Sequence, residues 1–147
     1  MKLLIINGPN LNFLGIREPS IYGDKNLETL IQWIKAETAQ LDPSIHIEDF
    51  QSNYEGAIID RLQQAYYDKV DGVVINPGAF THYSYAILDA IHSVHIPTVE
   101  VHISDIHARE PFRQISVTKH ARIQQVSGLG FNSYLEGIKV LMKHLKK

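Results

Sequence analysis

The chain contains no cysteine among its 147 residues. That excludes disulfides, thiolate metal ligands and a cysteine nucleophile. It fits a reducing cytosol, and a cytoplasmic location is expected. The chain also lacks an excess of basic residues. Its 14 Lys and Arg are set against 16 Asp and Glu, a formal net charge of -2. There is no basic field to draw nucleic acid, so no nucleic-acid partner is expected. The one basic run, Lys143-His144-Leu145-Lys146-Lys147, reads as the solvated end of a helix, where cations suit the dipole. No apolar stretch approaches the roughly 20 residues that cross a bilayer. The apolar start, Leu3 to Ile6, is too short for a signal peptide and meets Asn7-Gly8-Pro9 at once. Neither a membrane span nor a leader is expected.

Further motifs are missing. No His-Glu-x-x-His pattern occurs, and the eight histidines show no metal-ligand spacing. Neither a Gly-x-Gly-x-x-Gly nor a Gly-Lys-Ser/Thr loop follows the first apolar run, so a phosphate cradle is not expected. Metal and cofactor are both expected to be absent.

What is present is an alternation of short apolar runs and helical patterns. The length fits one domain, residues 1–147, and the composition, 44% hydrophobic and 20% charged, is ordinary for a globular chain. Strands are predicted at Leu3–Ile6, Ile45–Phe50, Val70–Ile75, Thr98–Ile103 and Arg122–Val126. Gly72-Val73-Val74-Ile75 is the signature of a central parallel strand covered on both faces. Helices are predicted at Leu27–Leu41, Glu55–Asp68, Ser84–Val94 and Asn132–Leu145, with Asn26 and Thr81 as caps and a short turn of helix at Pro111–Gln114. Gly128-Leu129-Gly130 reads as a tight strand-to-helix turn. The sum is an α/β fold, a flavodoxin-like three-layer sandwich around a five-stranded parallel sheet of order 2-1-3-4-5. Ligands in such sheets bind beyond the carboxyl ends of the strands.

Three strand ends carry polar groups where an apolar run stops. They are Asn7-Gly8-Pro9-Asn10-Leu11-Asn12, Asn76-Pro77-Gly78-Ala79-Phe80-Thr81-His82 and Glu100-Val101-His102-Ile103-Ser104. Each alone reads as a turn. Together, at one end of one sheet, they point to a site. Glu100 and His102 are two apart on a strand and share a face. A carboxylate beside an imidazole favours its protonated form, which supplies a general acid. Arg17 and Tyr22 share the first loop between Gly15 and Gly23; by spacing alone this reads first as a surface loop whose tyrosine packs, and alternatively as a base, since a cation near a phenol favours the phenolate. Gly15 and Gly23 could let that loop close as a lid. His82, Asp89, Arg109 and Arg113 are further polar candidates. No lysine lies in the three motifs, which disfavours a Schiff base.

These motifs resemble the type II 3-dehydroquinate dehydratases. The resemblance rests on Asn7-Gly8-Pro9-Asn10-Leu11-Asn12, Gly15-x-Arg17-Glu18-Pro19-x-x-Tyr22-Gly23, Gln51-Ser52-Asn53-x-Glu55-Gly56, Asn76-Pro77-Gly78-Ala79-x-Thr81-His82 and Val99-Glu100-Val101-His102-x-Ser104, with Ile106-His107-Ala108-Arg109-Glu110 following. It implies a cofactor-free lyase of the shikimate pathway, removing water from 3-dehydroquinate by anti elimination through an enolate. It implies Tyr22 as the base, favoured by Arg17, and His102 as the acid, supported by Glu100. Asn10 would help hold a water that stabilises the enolate. Asn76 and the amides of Ile103 and Ser104 would bind the substrate carboxylate, and His82 and Arg113 the ring hydroxyls. Asp89 would reach a neighbouring subunit's site in a homododecamer built from trimers.

Two positions depart from the family pattern. Asp105 stands where Asn is usual and adds negative charge beside the expected carboxylate site. Lys119-His120-Ala121-Arg122 is bulkier and more basic than the small residues expected before the last strand, which points to altered subunit contacts. The alternative function is a non-catalytic ligand-binding or signalling module on the same fold. A flavin carrier wants a hydroxyl-rich first loop, and a receiver wants an acidic cluster where this chain has Asn76.

Overall fold

A computed structural model describes residues 1–146. Five parallel strands form one sheet: β1 (Lys2–Asn7), β2 (His46–Gln51), β3 (Gly72–Asn76), β4 (Thr98–His102) and β5 (Gln124–Ser127). Their order is β2-β1-β3-β4-β5, as the alternating pattern predicts. The helices are α1 (Pro19–Tyr22), α2 (Leu27–Leu41), α3 (Glu55–Tyr67), α4 (Tyr85–Val94) and α5 (Asn132–Leu145). The bounds of α2 and α5 coincide with the sequence periodicity, and Lys147 of the terminal basic run lies outside the described residues. Pro111–Gln114 forms a short 3-10 turn.

The strand pleat divides the core. Leu3 and Ile5 of β1 pack with α2 and α5, through Leu30, Ile34, Tyr134, Ile138 and Leu141. Leu4 and Ile6 face the other way, onto Ile58 and Leu62 of α3 and Ile87 and Ile91 of α4. Such alternation is what a sheet covered on both faces requires. α2 starts at Asn26, whose Oδ1 accepts from Thr29 N at 2.8 Å. α4 departs from the expected cap. Ser84, not Thr81, accepts from the helix at Ile87 N, 3.0 Å away. Thr81 lies in the 3-10 turn Gly78–His82, and its hydroxyl is turned to Glu100 instead. β5 starts two residues later than predicted, and Arg122 falls in the segment before it.

Two contacts bring the ends of β1 and β3 together. Asn7 and Asn76 are register partners. Tyr134, wholly buried in α5, donates its hydroxyl to Asn7 Oδ1 at 2.6 Å and accepts from Asn76 Nδ2 at 2.9 Å. Burial pushes the Tyr134 phenol well above its ordinary pKa, a shift that the Asn76 hydrogen bond only partly offsets. The following loops then interlock. A side chain at Gly8 would meet Pro77 O at 2.6 Å, and one at Gly78, where φ is +58°, would meet Pro9 O at 3.1 Å. Only glycine lets the two backbones approach this closely.

Gly8→Ala should therefore push the loops apart and destabilise the protein by about 1–3 kcal/mol. Urea unfolding followed by the single tryptophan, Trp33, checks it. Gly56→Ala is the control, since nothing lies within 4 Å of that position. It should be neutral or stabilise by up to about 1 kcal/mol. Equal midpoints for the two variants would refute the close-approach account.

Candidate active site

The loop after β1 reaches over the sheet ends. Leu11 and Leu14 anchor it in the core, whereas Ile16 and Ile21 are exposed. It turns at Gly15 and Gly23, with φ of +88° and +86°. Between those glycines, Tyr22 points back toward β4. Its hydroxyl oxygen accepts from Arg17 Nη2 at 3.0 Å and from Arg109 Nη1 at 2.7 Å. The Arg17 guanidinium also lies over the Tyr22 ring, 4.1 Å from its centroid. Arg109 is 3.4 Å from Ser104 Oγ and 3.9 Å from Glu18.

His102 ends β4, almost fully buried. Its Nε2 lies 3.3 Å from Glu100 Oε1, within ion-pair reach but not aligned as a hydrogen bond. Glu100 is only 1% exposed. An isolated carboxylate so placed would be costly, and this one is surrounded by donors. Oε1 accepts from Thr81 Oγ1 and from Thr118 Oγ1 at 2.9 Å. Oε2 accepts from Gln125 Nε2 at 2.8 Å and Ser116 Oγ at 3.2 Å, and faces Arg122 Nε at 2.8 Å. Burial opposes ionisation, but contact with His102, the Thr81 hydroxyl and the Arg122 charge outweighs it. They bring the Glu100 pKa down to about 2.

A cavity of about 40 Å³ separates the two halves. Of the residues singled out in the sequence, Arg17, Tyr22, Asn76, His82, His102, Ile103, Ser104 and Arg113 line it. Arg109 joins them, so a third guanidinium faces the space. Asn76 is held by Tyr134 and by Gly78 N, which donates to its Oδ1 at 3.1 Å. The carbonyls of Ile103 and Ser104 accept from Gly130 N and Gly128 N, both at 3.1 Å, which fixes the peptides around them. His82 donates from Nδ1 to Ile115 O at 2.7 Å, leaving Nε2 for a ligand hydroxyl. Burial lowers the His82 pKa, and the Ile115 bond offsets part of that. Arg113 pairs with Glu110 at the rim.

Three expected residues lie elsewhere. Glu100 sits behind His102 rather than in the lining. Asn10 is exposed, in the left-handed region with φ of 69°, and its backbone N donates to Asn53 Oδ1 at 3.0 Å. Asp89 is exposed on α4, away from this cavity. A wider space of about 560 Å³ opens on the other side of Tyr22 and Arg109 and is also lined by Asp105. Asp105 caps the next turn, its Oδ1 accepting from His107 N at 3.0 Å.

Arg109 was visible in the sequence as a polar candidate, but nothing local pairs it with Tyr22, 87 residues away. The donors around Glu100 had no signal of their own. Arg122 in particular belongs to the basic segment read as a subunit contact, yet it turns inward. Among the described residues, no group of three or more acidic or histidine side chains could hold a metal, and no helix is long and apolar enough to cross a membrane.

Comparison with known proteins gives the family of the chain. The family described as Dehydroquinase class II matches residues 1–142. The 3-dehydroquinate dehydratase of Clostridium acetobutylicum is 58% identical over 147 residues, covering all of both chains. The crystal structure of the type II dehydroquinase of Butyrivibrio crossotus superposes with a TM-score of 0.92 at 55% identity, covering 97% of each chain. That of Propionibacterium acnes gives 0.89 at 36% identity, covering 99% of this chain and 97% of that one. On the match of nearly its whole length, the chain belongs to the class II dehydroquinases.

Proposed function

We propose that this protein is a 3-dehydroquinate dehydratase in which Tyr22 removes the C2 proton and His102 protonates the departing C1 hydroxyl. The electron pair of the broken C–H bond passes into an enolate. Collapse of the enolate expels the hydroxyl, which leaves as water with the His102 proton, and 3-dehydroshikimate results. The observation that carries this reading is the phenol oxygen of Tyr22. It accepts from two guanidiniums across a cavity from an imidazole backed by a buried carboxylate. A base that becomes anionic is favoured by fixed cations. A buried carboxylate next to His102 favours the protonated imidazole that an acid must be.

The substrate is a carboxylate, and Arg17, Arg109 and Arg113 give the cavity the complementary sign. Asn76, with the amides of Ile103 and Ser104, supplies neutral donors for it. His82 and Arg113 remain for ring hydroxyls. The segment between Gly15 and Gly23 carries the proposed base over this cavity, and on this reading it opens to admit substrate and closes again. Asn10 holds a water near the enolate only if its loop swings inward. Asp89, exposed on α4, is available to a neighbouring subunit's site, as an assembly of trimers into a dodecamer requires.

The direct test is addition of 3-dehydroquinate, with ultraviolet absorbance reporting the conjugated product. A folded protein that gives no signal would refute the activity. Borohydride added with substrate should leave turnover intact, because no imine forms. Tyr22→Phe should lower kcat by roughly 10²–10⁴-fold with KM within a few-fold of wild type. Such a split marks a group that acts in the transition state. Turnover unchanged in Y22F would remove Tyr22 as the base.

Glu100 also makes a pH prediction. Its folded pKa of about 2 lies below its ordinary value of 4.5. Its charge therefore stabilises the fold above pH 4.5, and that contribution is lost as pH falls from 4.5 toward 2. Urea midpoints of wild type and Glu100→Gln should differ at pH 7 and converge through that window. A constant difference would contradict the depressed pKa.

A further inference from the structure

The carboxylate of Glu100 is divided between two partners. Oε1 faces His102 at 3.3 Å, and Oε2 faces Arg122 Nε at 2.8 Å. Arg122 is itself largely buried, with 16% of its side chain exposed. It comes from the segment before β5, which contributes no residue to the lining of the catalytic cavity. Its guanidinium stands within ion-pair reach of Oε2, not aligned as a hydrogen bond, beside the Gln125 amide that holds the same oxygen. It sets a permanent positive charge against the one negative charge beside His102.

Resting on the reading of His102 as the acid, we propose that Arg122 is a positioning residue for it. With its guanidinium beside Oε2 of Glu100, Arg122 offsets the carboxylate charge, so that the His102 proton is held yet transferable. Without Arg122, Glu100 would hold that proton more tightly, and an acid that releases its proton reluctantly is a slower one. The other charged and titratable groups around His102 all face it from the cavity side. They are His82 from the turn after β3, Arg17 and Tyr22 from the first loop, and Arg109 and Arg113 from the loops after β4. Arg122 acts from behind, through Glu100 alone.

The test uses Arg122→Gln, which keeps a donor but removes the charge, and Arg122→Lys, which keeps the charge. Titration of the His102 ring in the substrate-free protein by NMR, assigned with a His102→Asn reference, reads the coupling without turnover. In R122Q the His102 midpoint should rise by about one pH unit. The alkaline limb of the kcat profile should move up by the same amount, and kcat on the plateau below that limb should fall several-fold with KM unchanged. R122K should restore the wild-type midpoint. An R122Q midpoint that stays at the wild-type value overturns the proposal. A midpoint that moves while the alkaline limb stays fixed keeps the coupling and overturns the acid assignment instead. If R122Q does not fold, the Glu100→Gln/Arg122→Gln double variant, which has no unpaired buried charge, replaces it. Its His102 should titrate as in E100Q alone, and a difference between the two would overturn a route through Glu100.

Discussion

A carboxylate in the interior of β4 has to be surrounded by donors, and most of the polar architecture of this protein follows from that. Glu100 draws Thr81 from the turn after β3, Ser116 and Thr118 from the segment before β5, Gln125 from β5, Arg122, and His102 from its own strand. Those segments dock partly through apolar side chains, Phe80 and Ala121 on one face of the sheet and Val126 on the other. Their polar faces are fixed by the cost of leaving a buried charge unsatisfied. Breaking one partner of such a set costs more than the pair itself contributes, so the loops around Glu100 are held as a unit. His102 inherits that rigidity.

The other half of the site is built differently. Tyr22 sits on a loop anchored by Leu11 and Leu14 and turned at two glycines with positive φ. Beyond Leu14 its aliphatic residues, Ile16 and Ile21, are exposed, and only Tyr22 packs back against the core. Tyr22 is held by packing of its ring against the core and by the two guanidiniums on its oxygen. One of these, Arg17, lies on the same loop. The other, Arg109, belongs to the segment after β4. A loop so arranged can admit a ligand and return its phenol to the same cation. On the proposed reading, an acid held rigidly and a base on a loop suit a reaction that encloses its substrate before removing a proton from carbon.

Between the halves, the ends of β1 and β3 form a fixed floor. Tyr134 ties Asn7 to Asn76 from below, and the reciprocal contacts of Gly8 with Pro77 and Gly78 with Pro9 lock the loops above. The Asn-Gly-Pro and Asn-Pro-Gly motifs thus read at two levels. As turn formers they end their strands, and as interlocked backbones they set where the Asn76 amide sits.

The order and type of the elements were legible because apolar periodicity is local. Leu3 to Ile6, the Leu27–Leu41 stripe and the Asn132–Leu145 stripe each carry their own pattern, and an alternating β/α chain with short connections leaves few topologies. The Glu100–His102 pair was legible for the same reason, since a spacing of two on a strand places both side chains on one face. The cap of α4 was not, because Thr81 and Ser84 are chemically alike and a distant carboxylate claimed the first. Nor was the start of β5, because Arg122 spends its side chain on Glu100 before the strand begins. Sequence alone thus determined the sheet, its order and which end of it carries polar groups. Tertiary structure alone decided that Arg109 meets Tyr22 across 87 residues and Tyr134 meets Asn7 across 127. Burying apolar stripes is a property of each segment, whereas the pairing of charges and hydroxyls depends on how separate loops converge over the sheet.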